Sequence, residues 1–367
     1  MRVAVVYSEP CASAPEEHWI WRSDANTRLA REGFHDASEH GFLDEVRLIA
    51  SFLSEGGFSP ILFAVDDPAK LADFLVRKKP DVVFNCCESF RGNPALEMNV
   101  AAVYELFGIP FTGSSALTLA VALNKPLAKA LLRANGVSTP DYLVVDSDSR
   151  GNGARSLRPP WIVKPVAEDA SIGIDINSVV HDEAALAKRV RFVREQFRQA
   201  ALVEEYIEGR ELNVAVLASS PTEFVALPIS EFVLDGLPED WPRILGYEAK
   251  WLTHSDAYRA TVTRCPARLQ AAVAKQVRAV ALKAARVIGL RDYGRIDLRL
   301  RSGDNAIFVL EANPNPDITY DSGFIRAAQA TGRTHAGTVR EILERALERY
   351  SMGSQRAPAP SRHSRRA

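Results

Sequence analysis

Over roughly its first 115 residues the chain alternates short apolar runs with amphipathic stretches: VAVVY, FLDEVRLIASFLSEGG, ILFAV, PAKLADFLVRKK, DVVFNCC, ALEMNVAAVYELFG and IPFTG. Strands separated by helices cannot close as tight hairpins, so the alternation predicts an α/β fold built on a parallel sheet with helices on its faces. Ligands of such sheets meet the carboxyl ends of the strands. No GxGxxG follows the first strand, so a dinucleotide fold has no support.

A chain of 367 residues is too long for one ordinary core, and its punctuation divides it into segments. Residues 1–115 carry the parallel sheet. Residues 116–204 open with a helical stretch, ALTLAVALNKPLAKALLRANG, and a surface loop, DSDSRGNGARSLRPP. A small unit follows in which WIVKPV and SIGIDINSVV read as strands and Leu186, Val190, Val193 and Phe197 form a helical stripe. Residues 205–350 hold ELNVAVLA, FVALPIS, a long helix, a hairpin and a last helix ending near Tyr350, an α+β arrangement. Residues 351–367, rich in Pro, Ser and Arg, read as a disordered tail.

Composition narrows the partners. A net charge of -1, with 47% hydrophobic and 25% charged residues, suits a soluble protein and gives no electrostatic case for nucleic acid. Four cysteines without a CxxC pair fit a reduced, cytoplasmic setting. MRVAVVYSEP lacks the apolar stretch of a signal peptide, and no run approaches the roughly 20 apolar residues that span a bilayer. Residues 9–41 form a long charged connection whose His35 and His40 are spaced wrongly for one helical face, so no metal is expected there.

Chemistry concentrates in the hairpin RIDLRLRSGDNAIFVLEANPNPD, residues 295–317. Apolar residues alternate with polar ones, Ile296, Leu298 and Leu300 on one side and Ala306, Phe308 and Leu310 on the other, around Ser302, Gly303, Asp304 and Asn305. A three-residue loop centred on Asp304 would set Asp297 opposite Glu311 and Arg295 opposite Asn313. Charges on an open hairpin face are ordinarily solvated, and Arg299 is near enough to screen them. Directly opposed carboxylates about 4.5 to 5.5 Å apart at Cβ nevertheless repel unless a cation or water lies between them.

Lys164 sits inside the apolar strand WIVKPV, where an unpaired ammonium is costly to bury. The loop after it, AEDASIG, offers backbone N–H groups and Ser171 to the same anion, a phosphate for example. Lys125 starts a helical stretch and can reach that anion too. In EEYIEGRE, Glu204 can accept from the amino group of a base, the backbone at Tyr206 and Ile207 offers a donor and an acceptor, and Glu211 can accept from ribose hydroxyls.

Taken in order, VKP, LVEEYIEGRE, YEAK, GRIDLRL and LEANPNPDIT resemble the ATP-grasp ligases, in particular the D-alanine:D-alanine ligase branch. PFTGS and NKPLAKALLRANGVSTP extend the likeness over roughly residues 80–345. The resemblance implies a three-domain ATP-grasp fold with an N-terminal pre-ATP-grasp domain, ATP, and two Mg2+ ions that Mn2+ can replace. It makes Lys125 and Lys164 the phosphate lysines, Glu204, Tyr206 and Ile207 the adenine hinge, and Glu211 the ribose acceptor. Asp297, Glu311 and Asn313 become metal ligands, Arg295 the oxyanion arginine, and Lys250 a residue approaching the terminal phosphate on a mobile loop within LPEDWPRILGYEAKWLTHSD. The implied reaction joins a small carboxylate to a small amine through an acyl phosphate.

On the substrate side the likeness breaks. YSEPCASAPEEHW replaces a glycine-rich first loop, leaving Glu9 as the candidate there; NCCESFRGNPALEM places Glu88 and Arg91 where the family has a histidine and an acidic-glycine run. After Asn313 the chain reads PNPD, with Asp317 at a family glycine, while Ser322 aligns with a residue that touches the acceptor carboxylate. These changes favour a ligase for another amino acid, peptide or acid. A true D-alanine:D-alanine ligase and a nucleotide-binding module without chemistry are the alternatives; a homodimer is compatible with the sequence, which does not fix the oligomeric state.

Overall fold

The computed structural model describes residues 1–8, 36–146, 157–168 and 171–356. β1 (Arg2–Ser8), β2 (Ser59–Val65) and β3 (Val82–Cys86) form the parallel sheet, in the order β2-β1-β3. α1 (Asp36–Glu55) and α2 (Pro68–Lys78) make the crossovers, and α3 (Glu97–Leu106) follows. α2 starts as its residues dictate: Asp67 accepts from the N–H groups of Ala69 and Lys70, and Pro68 occupies a first turn that needs no donor. α1 begins inside the stretch expected to be an irregular connection; Glu9 and His35 lie outside the described residues.

The helical stretch after residue 115 is two helices, α4 (Ala116–Leu123) and α5 (Lys125–Ala134). Asn124 breaks it, with ψ 87 and a side chain that accepts from Leu127 N–H, and Pro126 opens the second helix. Ala122, Ala128 and Leu132 bury against Leu212, Val214 and Ile296 of the C-terminal sheet. The small unit with its own core therefore starts later. β4 (Tyr142–Val145), β5 (Trp161–Pro165), β6 (Val179–Val180) and β7 (Ala201–Glu205) form an antiparallel sheet in the order β4-β7-β5-β6, and α6 (Glu183–Phe197) seals it with Leu186, Val190, Val193 and Phe197. Of the expected strand SIGIDINSVV only β6 forms. The turns before it are held by the buried Arg189, which donates to Gly173 O (2.8 Å) and Ser178 Oγ (2.8 Å) and pairs with Asp175 (3.1 Å).

The third sheet is antiparallel. β8 (Gly209–Ser220), β10 (Ser230–Val233), β11 (Val262–Arg264), β12 (Tyr293–Arg301) and β13 (Ile307–Asn313) run β11-β10-β8-β12-β13, with β9 (Glu223–Ala226) paired to β8. Two short helices, α7 (Tyr247–Trp251) and α8 (Asp256–Ala260), sit in the segment between β10 and β11. α9 (Ala271–Ile288) covers one face, burying Val277, Ala281, Ala284 and Ile288 at helical spacing. On the other face Phe324 of α10 (Gly323–Gln329) and Val339 and Ile342 of α11 (His335–Arg356) pack with Ala215 and Leu217, in one core with Val3, Val5 and Phe84 of the parallel sheet. α11 continues past Tyr350 to Arg356, into the stretch expected to be disordered. Among the described residues no helix is long and apolar enough to cross a membrane.

The hairpin β12–β13 sets Arg295 opposite Asn313 and Asp297 opposite Glu311, as the alternation predicts, but by another route. Arg301 N–H bonds to Ala306 O at 2.8 Å, so four residues make the turn and Leu298 faces Val309. A β-bulge next to Asp297 then restores the pairing by absorbing Leu310. In consequence Ile307 and Val309, not Phe308 and Leu310, share the core of Leu298 and Leu300. The bulge lets one hairpin bury an apolar face near its tip and still oppose two carboxylates at its base.

Candidate active site

Strand alternation puts Arg295, Asp297 and Arg299 of β12 on one face, with Glu311 and Asn313 beside them on β13 and Glu211 and Asn213 on β8. Arg295 grips Asp297 through Nε and Nη2, each at 2.7 Å, and Asn313 Nδ2 donates to Asp297 at 3.1 Å. Burial would push the Glu311 carboxyl up, but Lys125, Lys164, Arg295 and Lys250 together bring it down to about 2. Lys250 itself is lowered, by burial and by Arg295. The opposed carboxylates are thus embedded in cations. Among the described residues no three His, Cys, Asp or Glu side chains gather to hold an ion unaided. Two carboxylates and one amide are hard oxygen donors of the kind Mg2+ takes when phosphate and water complete its shell, so the residues fit that ion in company with a polyphosphate.

Behind this face lies a pairing that no motif announced. Glu204 is buried, with Lys164 at 2.6 Å on one oxygen and Lys129 on the other. Burial works against its charge, and the two lysines more than compensate, holding it below the ordinary carboxylate range. Burial lowers Lys129 to about 8. The Glu204 side chain, expected to meet the base, is engaged by these two lysines. Lys125 Nζ donates to the carbonyl of Glu168, in the loop after β5 that Ser171 closes. Lys129 was legible: it lies four residues after Lys125, on one face of α5 with the buried Ala128 and Leu132 close by.

The hinge after β7 is tied down by Arg299, which does not screen the pair Asp297 and Glu311. Its guanidinium bonds Glu211 Oε2 (2.6 Å), Ile207 O (3.2 Å) and Gly209 O (3.3 Å), and lies over the Tyr206 ring at 5.3 Å. It also bonds Arg243 O at 2.5 Å. That carbonyl belongs to the segment expected to close the site, and the same segment touches the lid: Ser171 Oγ donates to Leu245 O (3.1 Å) and Tyr247 N–H to Ile174 O (2.9 Å). Its period-two spacing from Arg295 and Asp297 could have placed Arg299 on this face.

The substrate-side candidates divide. Glu88 and Asp317 line a cleft at the carboxyl end of β3, together with Glu45, Asn85, Tyr293 and Asn315. Arg91 leaves the cleft: it donates to Asp66 O at 2.9 Å. Asp317 folds its own loop, accepting from Thr319 N (2.8 Å) and Oγ1 (2.9 Å), and Ser322 caps α10 by accepting from Ile325 N (3.2 Å).

A small antiparallel lid closing over a charged face of a larger antiparallel sheet, beside a parallel-sheet domain, is the construction of an ATP-grasp enzyme. The family described as D-ala D-ala ligase C-terminus matches residues 131–344, and the chain belongs to it. Uncharacterized protein y4sG of Sinorhizobium fredii is 36% identical over 73% of this chain and 75% of its own. The D-alanine--D-alanine ligase of Ralstonia pickettii is 32% identical over 69% of this chain and 72% of its own. The fold matches the D-alanine--D-Alanine ligase of Bacillus anthracis complexed with ATP, with a TM-score of 0.70 at 19% identity over 96% of this chain and 100% of that one. The chain is an ATP-dependent ligase of the type that forms C–N bonds between small molecules.

Proposed function

We propose that this ligase joins an amino acid, small peptide or acid to an amine through an acyl phosphate, and that its substrates are not two D-alanines. The observation that carries the reading is a contrast along one stretch of chain: Asn313 belongs to an ordered cationic phosphate face, while Asp317 opens an acidic cleft. In this reading Lys125, Lys164 and Lys250 receive the ATP phosphates, and the hinge at Tyr206 and Ile207 with Glu211 receives the nucleoside. Asp297, Glu311 and Asn313 would hold Mg2+, which when bound neutralises charge on the transferring phosphoryl group. A substrate carboxylate oxygen attacks the γ-phosphorus, the bond to ADP breaks, and ADP leaves. The amine nitrogen then attacks the acyl carbon, phosphate departs and the nitrogen loses a proton. Arg295 faces the developing oxyanion, and the segment docked by Leu245 and Tyr247 excludes water from the acyl phosphate.

ADP release with Mg-ATP and pairs of amino acids, followed by product mass, tests this. Turnover is expected with a mixed pair and not with D-alanine alone; rapid turnover with D-alanine alone would overturn the substrate reading. The names of relatives such as the Ralstonia pickettii protein favour that second outcome. Nucleotide binding without turnover over a broad panel would leave a non-catalytic module.

A further inference from the structure

The turn of residues 111–115 belongs to the parallel-sheet domain: Phe111 bridges Val83 of β3, and Thr112 N–H donates to Val83 O at 2.9 Å. The same turn grips both ends of the hairpin β12–β13, which carries Arg295, Asp297, Glu311 and Asn313. At the entry Gly113 N–H donates to Asp292 Oδ2 (2.9 Å) and Arg291 N–H to Ser114 Oγ (3.3 Å). Asp292 is buried, and Arg349 of α11 holds it through Nε (2.9 Å) and Nη2 (2.8 Å). At the exit Asn315 Oδ1 accepts from Ser114 N–H (3.3 Å), and Asn315 Nδ2 donates to Glu97 Oε1 of α3 (3.0 Å).

Asn315 follows Asn313 by two residues, yet both of these bonds reach the parallel-sheet domain. One orientation of the amide satisfies them. Turned over, its NH2 would face the N–H of Ser114 and its oxygen the Glu97 carboxylate. Room for the side chain is made at Gly113, whose φ of 85 suits glycine and where a Cβ would collide with Asn315 Oδ1. Asn315 also lines the cleft at the carboxyl end of β3, so it stands between that cleft and the phosphate face. Transfer between groups held on two such walls depends on their spacing, and a misplacement of about 1 Å can cost about 10²-fold in rate.

Resting on the ligase reading above, we propose that Asn315 is a positioning residue for the reaction: its two bonds to Ser114 and Glu97 fix the hairpin of Asp297, Glu311 and Asn313 against the parallel-sheet domain, and with it the distance from the cleft to the phosphate face. It touches neither nucleotide nor reacting atoms in this role. Its loss therefore acts on turnover and leaves nucleotide affinity alone.

A swap of polarity tests this, with Mg-ATP and the amino-acid pair from which the parent releases most ADP. Asn315→Asp keeps the size and the bond from Ser114 but sets a second carboxylate against Glu97. In that variant kcat should fall about tenfold to a hundredfold, while the affinity for ADP, measured by calorimetry, stays unchanged. Adding Glu97→Gln gives the new carboxylate a donor and should return most of the turnover; Glu97→Gln alone, which still offers Asn315 an acceptor, is the reference. Backbone hydrogen exchange over residues 313–319 of the ADP-bound protein should rise in Asn315→Asp and return in the double variant. Turnover of Asn315→Asp equal to the parent's, a loss that Glu97→Gln does not repair, or unchanged exchange overturns the inference while leaving a working ligase. A matching loss of ADP affinity makes the effect one of general folding and overturns it too. A parent that turns over no pair overturns the ligase reading, and the positioning role falls with it.

Discussion

Either side of the short stretch from Asn313 to Asp317, buried carboxylates meet opposite fates. On the phosphate face Glu311 is surrounded by Lys125, Lys164, Lys250 and Arg295 and stays ionised down to about pH 2. In the cleft Glu45 is buried beside Asp317 and Asp321, which outweigh a backbone hydrogen bond from Tyr320, and its pKa is raised to about 7. Burial raises both groups, so the sign of the neighbouring charge makes the difference: cations around Glu311, aspartates around Glu45. Among the described residues the first region gathers lysines and arginine around its carboxylates, and the second gathers carboxylates. A polyphosphate complements the first.

The strongest way to break this contrast is to remove the carboxylate that two buried lysines of the basic side share. Glu204→Gln would leave Lys129 and Lys164 buried together without their carboxylate. Taking one member out of a buried ionic cluster costs about 3 to 5 kcal/mol. Urea unfolding should show that loss; a variant as stable as the parent would mean that the two lysines do not depend on Glu204. Somewhat smaller is the effect of Glu311→Ala on chemistry. Removal of one group that meets charge in the transition state lowers turnover about 10²- to 10³-fold. ADP release in the presence of substrate should fall by that much with the fold intact, and near-normal turnover would take Glu311 out of the metal site.

Much of the nucleotide side was legible because strand period fixes faces. The pairing of Asp297 with Glu311 follows from alternation alone, although the bulge that achieves it does not: a four-residue turn and a three-residue turn have the same composition here, and only the backbone hydrogen bond from Arg301 to Ala306 separates them. The lysine partners of Glu204 were not legible because a single sequence shows that a carboxylate follows a strand and not which lysines reach it across the lid. α4 and α5 were assigned to the lid by their place in the chain, while their small apolar faces bury on the other sheet. The acidic cleft was hidden for a related reason. Glu45, Glu88 and Asp317 lie on three separate segments, and only the packing of α1 and the 314–319 loop on the parallel sheet brings them together.

The smallest predicted effect is also the one that sets the two regions against each other. Glu311, whose ordinary value of 4.5 falls to about 2, contributes stability that is present above pH 4.5 and lost as pH drops through 2. Glu45, raised from 4.5 to about 7, contributes with the opposite sign: its share is complete below pH 4.5 and fades as pH rises through 7, because the unfolded chain releases the proton first. Partial exposure and solvent screening reduce the Glu45 contribution, so a shift of a degree or two in Tm is expected. Glu45→Gln should therefore melt above the parent at pH 8 and lose that advantage at pH 5. If the variant and parent melt together at both pH values, Glu45 is solvated well enough to need no proton, and the opposition between the two regions is weaker than the geometry implies.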